Sequence, residues 1–218
     1  AQGREIKLDE ERIQGYRHFI NKLWNAARFA LMHVGETEGK VASVADNPEK
    51  LQLAHQWILS RTATTVAEVR RGLDEYHFND VATANYQFIW HEFCDWYLEW
   101  IKADLFSDDK EAKGQAQGVL LVVLETILKL MHPLTPFVTE EIWSVLPGER
   151  STLMNDSFPT VQENWINPDA EEGMELLMGV ITGIRNIRSE SDIHPSATIE
   201  AYVVCPNEKK RDFIASFT

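Results

Sequence analysis

The stretch from Asn79 to Leu105 constrains the fold more than any other part of the sequence. Seven aromatic side chains lie between Tyr86 and Trp100, and three of them are tryptophans. At the 3.6-residue period of an α-helix, the large apolar residues share one face and polar residues follow the other, which predicts an amphipathic helix capped by Asn79 or Asp80. A buried ring contributes about 2–3 kcal/mol of transfer free energy, but only when neighbouring elements cover it. We therefore expect other helices to pack around this one.

Apolar periodicity elsewhere predicts a helical bundle. A first helix from Asp9 has this inward stripe: Ile13, Tyr16, Ile20, Leu23, Ala27 and Leu31. A loop follows at Gly35 to Gly39. A second helix is predicted to begin at Asn47-Pro48, to carry apolar residues as far as Tyr76, and to lie antiparallel to the aromatic helix.

The later half of the chain is predicted to be helical as far as residue 190. Residues 116–131 are strongly apolar and should form the most buried helix. A short helix starts at Thr135-Pro136, with Phe137 among its inward residues, and another runs from about Pro168 to Glu190.

The character of the sequence changes near the C-terminus. Residues 198–205 alternate and are rich in β-branched side chains, which predicts a strand, and residues 207–217 suggest one more helix. The predicted fold class is mainly α, with a helical bundle over residues 1–168. The start of a small α/β piece, a truncated helix-strand-helix segment, is expected over residues 169–218.

Composition limits the function classes. The chain of 218 residues has a net charge of −13, which by itself argues against nucleic acid. The charge is unevenly distributed, because residues 1–30 hold six basic and four acidic side chains while the rest holds 15 and 30. Two cysteines, Cys94 and Cys205, make no disulfide framework and fit a reducing cytosol. No membrane partner is expected.

Candidate metal and catalytic motifs are weak. His91 and Cys94 have a possible metal-ligand spacing, but zinc needs two further ligands, and the bundle's carboxylates lack the Glu-x-x-His motif of di-iron sites. Those carboxylates, which we interpret as solvated faces, are Glu92, Glu99, Glu140 and Glu141. Phosphate-binding glycine loops and nucleophile turns are also missing from the sequence. We therefore expect no catalytic residues and no metal site.

The first helix carries a different kind of signal on the side opposite its apolar stripe. Amide and guanidinium groups form a row there, with Trp24 and Phe29 flanking it. The row consists of Arg17, Asn21, Asn25 and Arg28. Unpaired RNA bases are recognised by this mixture of hydrogen-bonding groups and stacking rings, although polar helix faces are common and Trp24 could belong to the core.

Four segments together carry a family resemblance. They are GREIKLDEERIQGYRHFINKLWNAARF at 3–29, FIWHEFCDWYLEWIK at 88–102, LMHPLTPFVTEEIW at 130–143 and GIRNIRSE at 183–190. In this order they resemble the C-terminal part of the valyl-tRNA synthetases, class Ia aminoacyl-tRNA synthetases. The isoleucyl and leucyl families share N-K-x-W-N and H-P-x-x-P-F-x-x-E-x-W and are the alternatives. The segment SDIHPS at 191–196 departs from the family's N-x-P-P-S.

The resemblance implies an anticodon-binding helical bundle that belongs to a longer cytoplasmic polypeptide. The intact family enzyme attaches valine to its tRNA using ATP and Mg²⁺. The family's ATP motifs are absent from this chain, so the expected fragment binds tRNA but holds no cofactor and does not aminoacylate. Its partners would be the tRNA for valine and the catalytic, editing and C-terminal coiled-coil parts of the same polypeptide, in a monomeric enzyme.

The resemblance also implies which residues contact tRNA. The anticodon contacts are expected from Asn21, Lys22, Asn25, Arg28 and Phe29. Arg12 and Arg17 are expected to contact phosphates, and Arg185 and Arg188 to reach the tRNA backbone or, alternatively, to pair with nearby glutamates. A non-enzymatic helical module that docks a partner protein through its aromatic surface is the competing interpretation.

Overall fold

A computed structural model describes residues 9–34, 46–194 and 196–217, with the side chain of Arg12 outside the description. The chain divides into two compact units, residues 1–167 and residues 168–218. The loop predicted at Gly35 to Gly39 lies outside the described residues. The division into an anticodon-binding bundle over residues 1–168 and a separate C-terminal segment over residues 169–218 stays a prediction.

Over the described residues, the first unit is a bundle of five helices. They are α1 (Glu10–Val34), α2 (Leu53–Asp74), α3 (Phe78–Tyr86, continuing through Gln87–Tyr97, Leu98–Trp100 and Lys102–Leu105), α4 (Lys110–Met131) and α5 (Pro136–Ser144). Three single 3₁₀ turns accompany them, at Pro48–Lys50, Leu153–Asn155 and Glu163–Trp165. The predicted mainly α fold is confirmed.

The aromatic helix α3 lies at the centre of the bundle and contacts α1, α2 and α4, as the sequence predicted. Its middle, Gln87–Tyr97, is a π-helix, in which each N–H bonds the carbonyl five residues earlier. The wider turn brings side chains four residues apart onto one face. The buried face consists of Ile89, Phe93, Tyr97 and Ile101, each no more than 1% exposed. The helix starts at Phe78 after His77, which makes no side-chain cap, so the predicted caps at Asn79 and Asp80 are wrong.

Helix α4 is largely buried, but the prediction that it is the most buried helix is wrong, because 11 of its 22 residues are buried against 12 of the 22 in α2. It contacts α1, α2, the end of α3 and α5. Asp109 caps it by accepting hydrogen bonds from the backbone N–H groups of Glu111 and Ala112. By length and composition alone, α4 is long and apolar enough to cross a membrane, but most of it is buried in the protein. Buried core helices of soluble proteins have the same length and composition. The expectation of no membrane partner is untested.

Helices α2 and α3 are antiparallel, as predicted, and meet across a tight turn. Tyr76 occupies the left-handed position after α2, with φ of 59°, and the N–H of His77 donates to the carbonyl of Gly72. This is the Schellman arrangement, in which glycine is the usual residue. Tyr76 is consequently 71% exposed, so its predicted place in the apolar stripe is wrong.

Two other local predictions need correction. Helix α2 begins at Leu53, because Asn47 and Pro48 start only the 3₁₀ turn Pro48–Lys50. Phe137, predicted to point inward, is 91% exposed, whereas Ile142 and Trp143 of the same helix are buried. A proline at the first position fixes where α5 starts, but the direction of its first turn depends on tertiary packing.

The second unit contains helices α6 (Pro168–Glu190) and α7 (Glu208–Ala215), both near their predicted bounds. Asn207 caps α7 through its side chain. Residues 198–205 form no strand in the described structure, so the predicted strand and the α/β character of this piece are wrong. A strand requires pairing with a second backbone, and the alternating pattern alone cannot provide one.

Candidate nucleic-acid interface

The polar row on α1 faces solvent. Its four members are exposed, and they are Arg17, Asn21, Asn25 and Arg28. Trp24, which flanks the row, is 39% exposed. The opposite stripe is buried and consists of Phe19, Leu23, Ala27, Ala30 and Val34. Side chains that point away from the bundle can reach a ligand without any change in packing, so the row is accessible as the sequence predicted.

The N-terminal part of α1 differs from its prediction. Ile13 and Tyr16, expected to point inward, are 53% and 68% exposed. The apolar pattern continues through these positions, but the buried part of α1 begins only at Phe19, whose ring lies 5.3 Å from that of Tyr86. The part of α1 before Phe19, about two and a half turns, therefore adds exposed apolar surface beside Arg17.

Lys22 is held within the protein. Its Nζ donates to Oδ1 of Asp95 on α3 over 2.5 Å and lies 3.8 Å from the centre of the Trp90 ring. The other carboxylate oxygen of Asp95 lies 3.4 Å from Nδ1 of His91. The predicted anticodon contact at Lys22 would have to compete with these interactions, and the lysine in this structure joins α1 to α3.

Phe29 is half-buried at the end of the row and belongs to a run of rings that the sequence did not reveal. Its ring centre lies 4.6 Å from that of His33, and the His33 ring lies 4.9 Å from Phe106 at an interplanar angle of 85°. Lys102 Nζ lies 5.9 Å from the Phe29 ring centre and donates to Glu99 over 2.7 Å. The spacing of Phe29 and His33 by four residues is a sequence signal for adjacency on a helix, but the approach of Phe106 is tertiary.

The remaining predicted contacts lie in different places. Arg12 is within α1, and only its backbone is described. Arg185 and Arg188 lie on α6 in the second unit, where the Nη2 of Arg188 donates to the carbonyls of His194 over 2.7 Å and Ala197 over 3.0 Å. Arg188 thus holds the segment after α6. Asp192 in that segment has φ of 53° and follows α6 in the left-handed position.

The interpretation of the bundle carboxylates as solvated faces requires revision for two of them. Glu92 is partly buried and accepts two hydrogen bonds from Arg61, over 2.8 and 3.0 Å. Glu140 accepts from the N–H of Leu153 over 2.9 Å, and this hydrogen bond lowers its pKa. Both carboxylates serve to join separate segments of the bundle.

No three metal-ligating side chains of the histidine, cysteine or carboxylate type cluster within residues 9–34, 46–194 and 196–217. Cys94 is buried, and burial raises the pKa of its thiol to about 12, which disfavours the thiolate that binds metal. His91 is engaged with Asp95 as described above. The spacing of His91 and Cys94 is therefore explained by packing on α3.

One buried histidine was not identified by the sequence. Nδ1 of His55 lies 3.0 Å from the hydroxyl of Tyr97, and its Nε2 lies 4.0 Å from Oδ2 of Asp104. Burial lowers the pKa of His55 to about 4 and raises that of Tyr97 well above its usual range. Both groups are therefore neutral near pH 7 and join α2 to α3 inside the core, away from any surface that a substrate could reach.

The sequence comparisons identify the class to which this helical bundle belongs. The family model for the anticodon-binding domain of tRNA ligase matches residues 55–203, and the chain belongs to this family. The match to the family model begins after α1 and so does not include the polar row. The polar row is included in the alignments with relatives that extend over the whole chain.

The relatives are valine–tRNA ligases. The chain is 64% identical over 218 residues to that of Desulfotalea psychrophila, an alignment that covers 100% of this chain and 25% of the relative. The corresponding protein of Syntrophotalea carbinolica is 46% identical over 218 residues, covering 99% and 24%. That of Fervidobacterium nodosum is 39% identical over 203 residues, covering 93% and 23%.

The chain therefore spans about a quarter of the length of these curated relatives. The resemblance drawn from the four segments is confirmed. The isoleucyl, leucyl and protein-docking alternatives are not favoured.

Proposed function

We propose that this chain reads the anticodon of the tRNA for valine as part of a valine–tRNA ligase. The observation that carries the proposal is the exposed row of Arg17, Asn21, Asn25 and Arg28 on α1. Guanidinium and amide groups can donate to and accept from the edges of unpaired bases, and Trp24 and Phe29 offer ring faces beside them. The similarity to valine–tRNA ligases over the whole chain supports valine as the amino acid.

The mechanism in this proposal is positional. The splayed anticodon binds along α1, and that binding energy selects the tRNA and orients its acceptor end in a catalytic domain elsewhere in the polypeptide. The parent enzyme, a cytoplasmic monomer, would use ATP and Mg²⁺ there to attach valine. Its editing and C-terminal coiled-coil parts would complete the tRNA complex.

The described residues assign different tasks within this mechanism. Asn21, Asn25 and Arg28, which are exposed along α1, and the half-buried Phe29 would contact bases. Arg17, a few turns earlier, would contact a phosphate. Lys22 would contribute by fixing α1 against α3 through Asp95, because its ammonium group is already paired.

A titration of this chain with a fluorescently labelled anticodon stem-loop at two salt concentrations tests the proposal. Binding should weaken as salt rises, since a few cationic contacts release counterions from the RNA backbone. An unlabelled stem-loop with the valine anticodon should compete, whereas one with all three anticodon bases changed should compete at least about tenfold more weakly. Equal competition by both, or no binding at low salt, would reject anticodon reading by this chain.

A further inference from the structure

A second aromatic side chain, in addition to Phe29, lies at the end of the polar row on α1. Phe106 follows α3 and is 69% exposed, while its neighbours Leu105 and Ile101 are almost completely buried and anchor the helix. Its ring contacts the His33 ring edge-on, with 4.9 Å between centres. We call the surface formed by Phe29, His33 and Phe106 the aromatic shelf.

The aromatic shelf is continuous with the polar row. Phe29 directly follows Arg28, and its ring lies 4.6 Å from that of His33 one turn later. Met32, four residues after Arg28 and 71% exposed, extends the same side of α1. A nucleotide strand that follows the row toward the C-terminal end of α1 would therefore meet the shelf next.

Charges around the shelf are compatible with RNA. Arg28, which precedes Phe29, is an exposed cation, whereas Lys102, whose Nζ lies 5.9 Å from the centre of the Phe29 ring, is paired with Glu99. The nearby carboxylate of Asp109 is directed at the N-terminus of α4, where it accepts two backbone hydrogen bonds. Exposed rings with adjacent cations are the usual platform for unpaired bases, since every base has a face that can stack.

We propose that Phe106, held in place by His33, is a second stacking position for an unpaired base of the anticodon loop. The inference rests on the proposed function and adds a base-stacking side chain at the end of α3, outside the α1 motif that the sequence identified. Its occupant is one nucleobase of the same RNA that contacts Arg28. Because Phe106 is 69% exposed, most of its ring surface is available for that base.

The test compares Phe106→Ala, Phe106→Tyr and the control Phe78→Ala for binding of the anticodon stem-loop. Phe78 is also an exposed phenylalanine of α3, 55% exposed, but lies at the other end of the helix, on the order of 40 Å away. Phe106→Ala should weaken binding roughly 5- to 100-fold, the range measured for loss of one stacked base. Phe106→Tyr and Phe78→Ala should stay within about twofold of wild type.

Two further readouts separate stacking from other effects. The salt dependence of binding should be the same in Phe106→Ala as in wild type, because no charge is removed. Its melting temperature should also be unchanged, since the side chain is largely exposed. Wild-type affinity of Phe106→Ala, alongside weakened binding by Arg28→Ala, would overturn this inference and leave the proposed function intact. Absence of binding by the wild-type chain would reject both.

Discussion

Lys22 of α1 and Asp95 of the π-helical part of α3 form an ion pair with 2.5 Å between Nζ and Oδ1, and the same Nζ lies 3.8 Å from the Trp90 ring centre. Their side chains are 25% and 41% exposed, respectively. The pair fixes the helix that carries the proposed contact row to the aromatic helix at the centre of the bundle. In the proposed function, Lys22 would therefore affect RNA binding through the position of α1.

The Lys22–Asp95 pair should contribute measurably to stability. Lys22→Met should lower the free energy of unfolding by about 1 kcal/mol, the combined contribution of a partly exposed ion pair and a cation–π contact. Lys50→Met, which removes an exposed lysine, should change it by less than about 0.5 kcal/mol. Urea denaturation of the single variants and of Lys22→Met with Asp95→Asn should show a coupling energy that shrinks in high salt. Strict additivity would contradict the role of the pair.

Gly72 should be required for the close approach of α2 and α3. A Cβ at this position would lie 2.7 Å from Cγ2 of buried Val81. Gly72→Ala should therefore destabilise the protein by about 1–3 kcal/mol, offset in part by the better helix propensity of alanine. Gly114→Ala in α4 is the control, because a Cβ there meets nothing within 4 Å and should stabilise by up to about 1 kcal/mol. Thermal denaturation that ranks Gly72→Ala at or above wild type would contradict this packing.

Acid should destabilise the bundle through His55. Its pKa in the folded protein is about 4, below the usual 6.5, so the unfolded chain binds the proton at higher pH. The free energy of unfolding should thus fall by roughly 3 kcal/mol as the pH drops from about 6.5 to about 4. Tyr97 faces the ring and remains neutral, and Asp104 lies 4.0 Å from Nε2.

The control for this pH dependence is His55→Gln, which does not titrate. Chemical denaturation of both proteins across the same pH range isolates the contribution of His55 from that of other groups. The wild type should lose more stability on acidification than His55→Gln. Parallel curves for the two proteins would show that His55 is not held neutral by burial.

Removing the ring of Phe29 should affect tRNA charging by the intact ligase but not its formation of valyl-adenylate. Phe29→Ala should reduce charging of tRNA by roughly 5- to 100-fold, while ATP–pyrophosphate exchange, which reports valyl-adenylate formation, should stay within about twofold. The reason is that anticodon contacts act only on tRNA in the proposed mechanism. Equal loss in both assays would indicate damage to the enzyme as a whole and contradict the assignment.

The sequence predicts those parts of the fold that depend on local periodicity. Residues 116–131 and 168–190 are helices because their apolar spacing, caps and proline positions agree with one another. The exposed row on α1 is likewise a consequence of helical spacing. In each case, the information lies within a single helix.

Several features that depend on the details of tertiary contacts were not predicted. The π-helix of α3 is invisible to a search at the period of 3.6 residues, although it determines that Asp95 and Trp90 both reach Lys22. Phe106 meets His33 only because α1 and α3 pack side by side. The predicted strand at 198–205 was wrong, because an alternating pattern of side chains forms a strand only where a second backbone pairs with it.

The central claim is that the exposed row on α1 binds the anticodon, and the most direct measurement compares Arg28→Ala with Arg71→Ala for stem-loop affinity. Arg71 is exposed on α2, so the two variants have the same net charge and lose the same non-specific attraction. Arg28→Ala should bind roughly 5- to 100-fold more weakly than wild type, while Arg71→Ala should stay within about twofold. Equal affinities of the two variants would contradict the account.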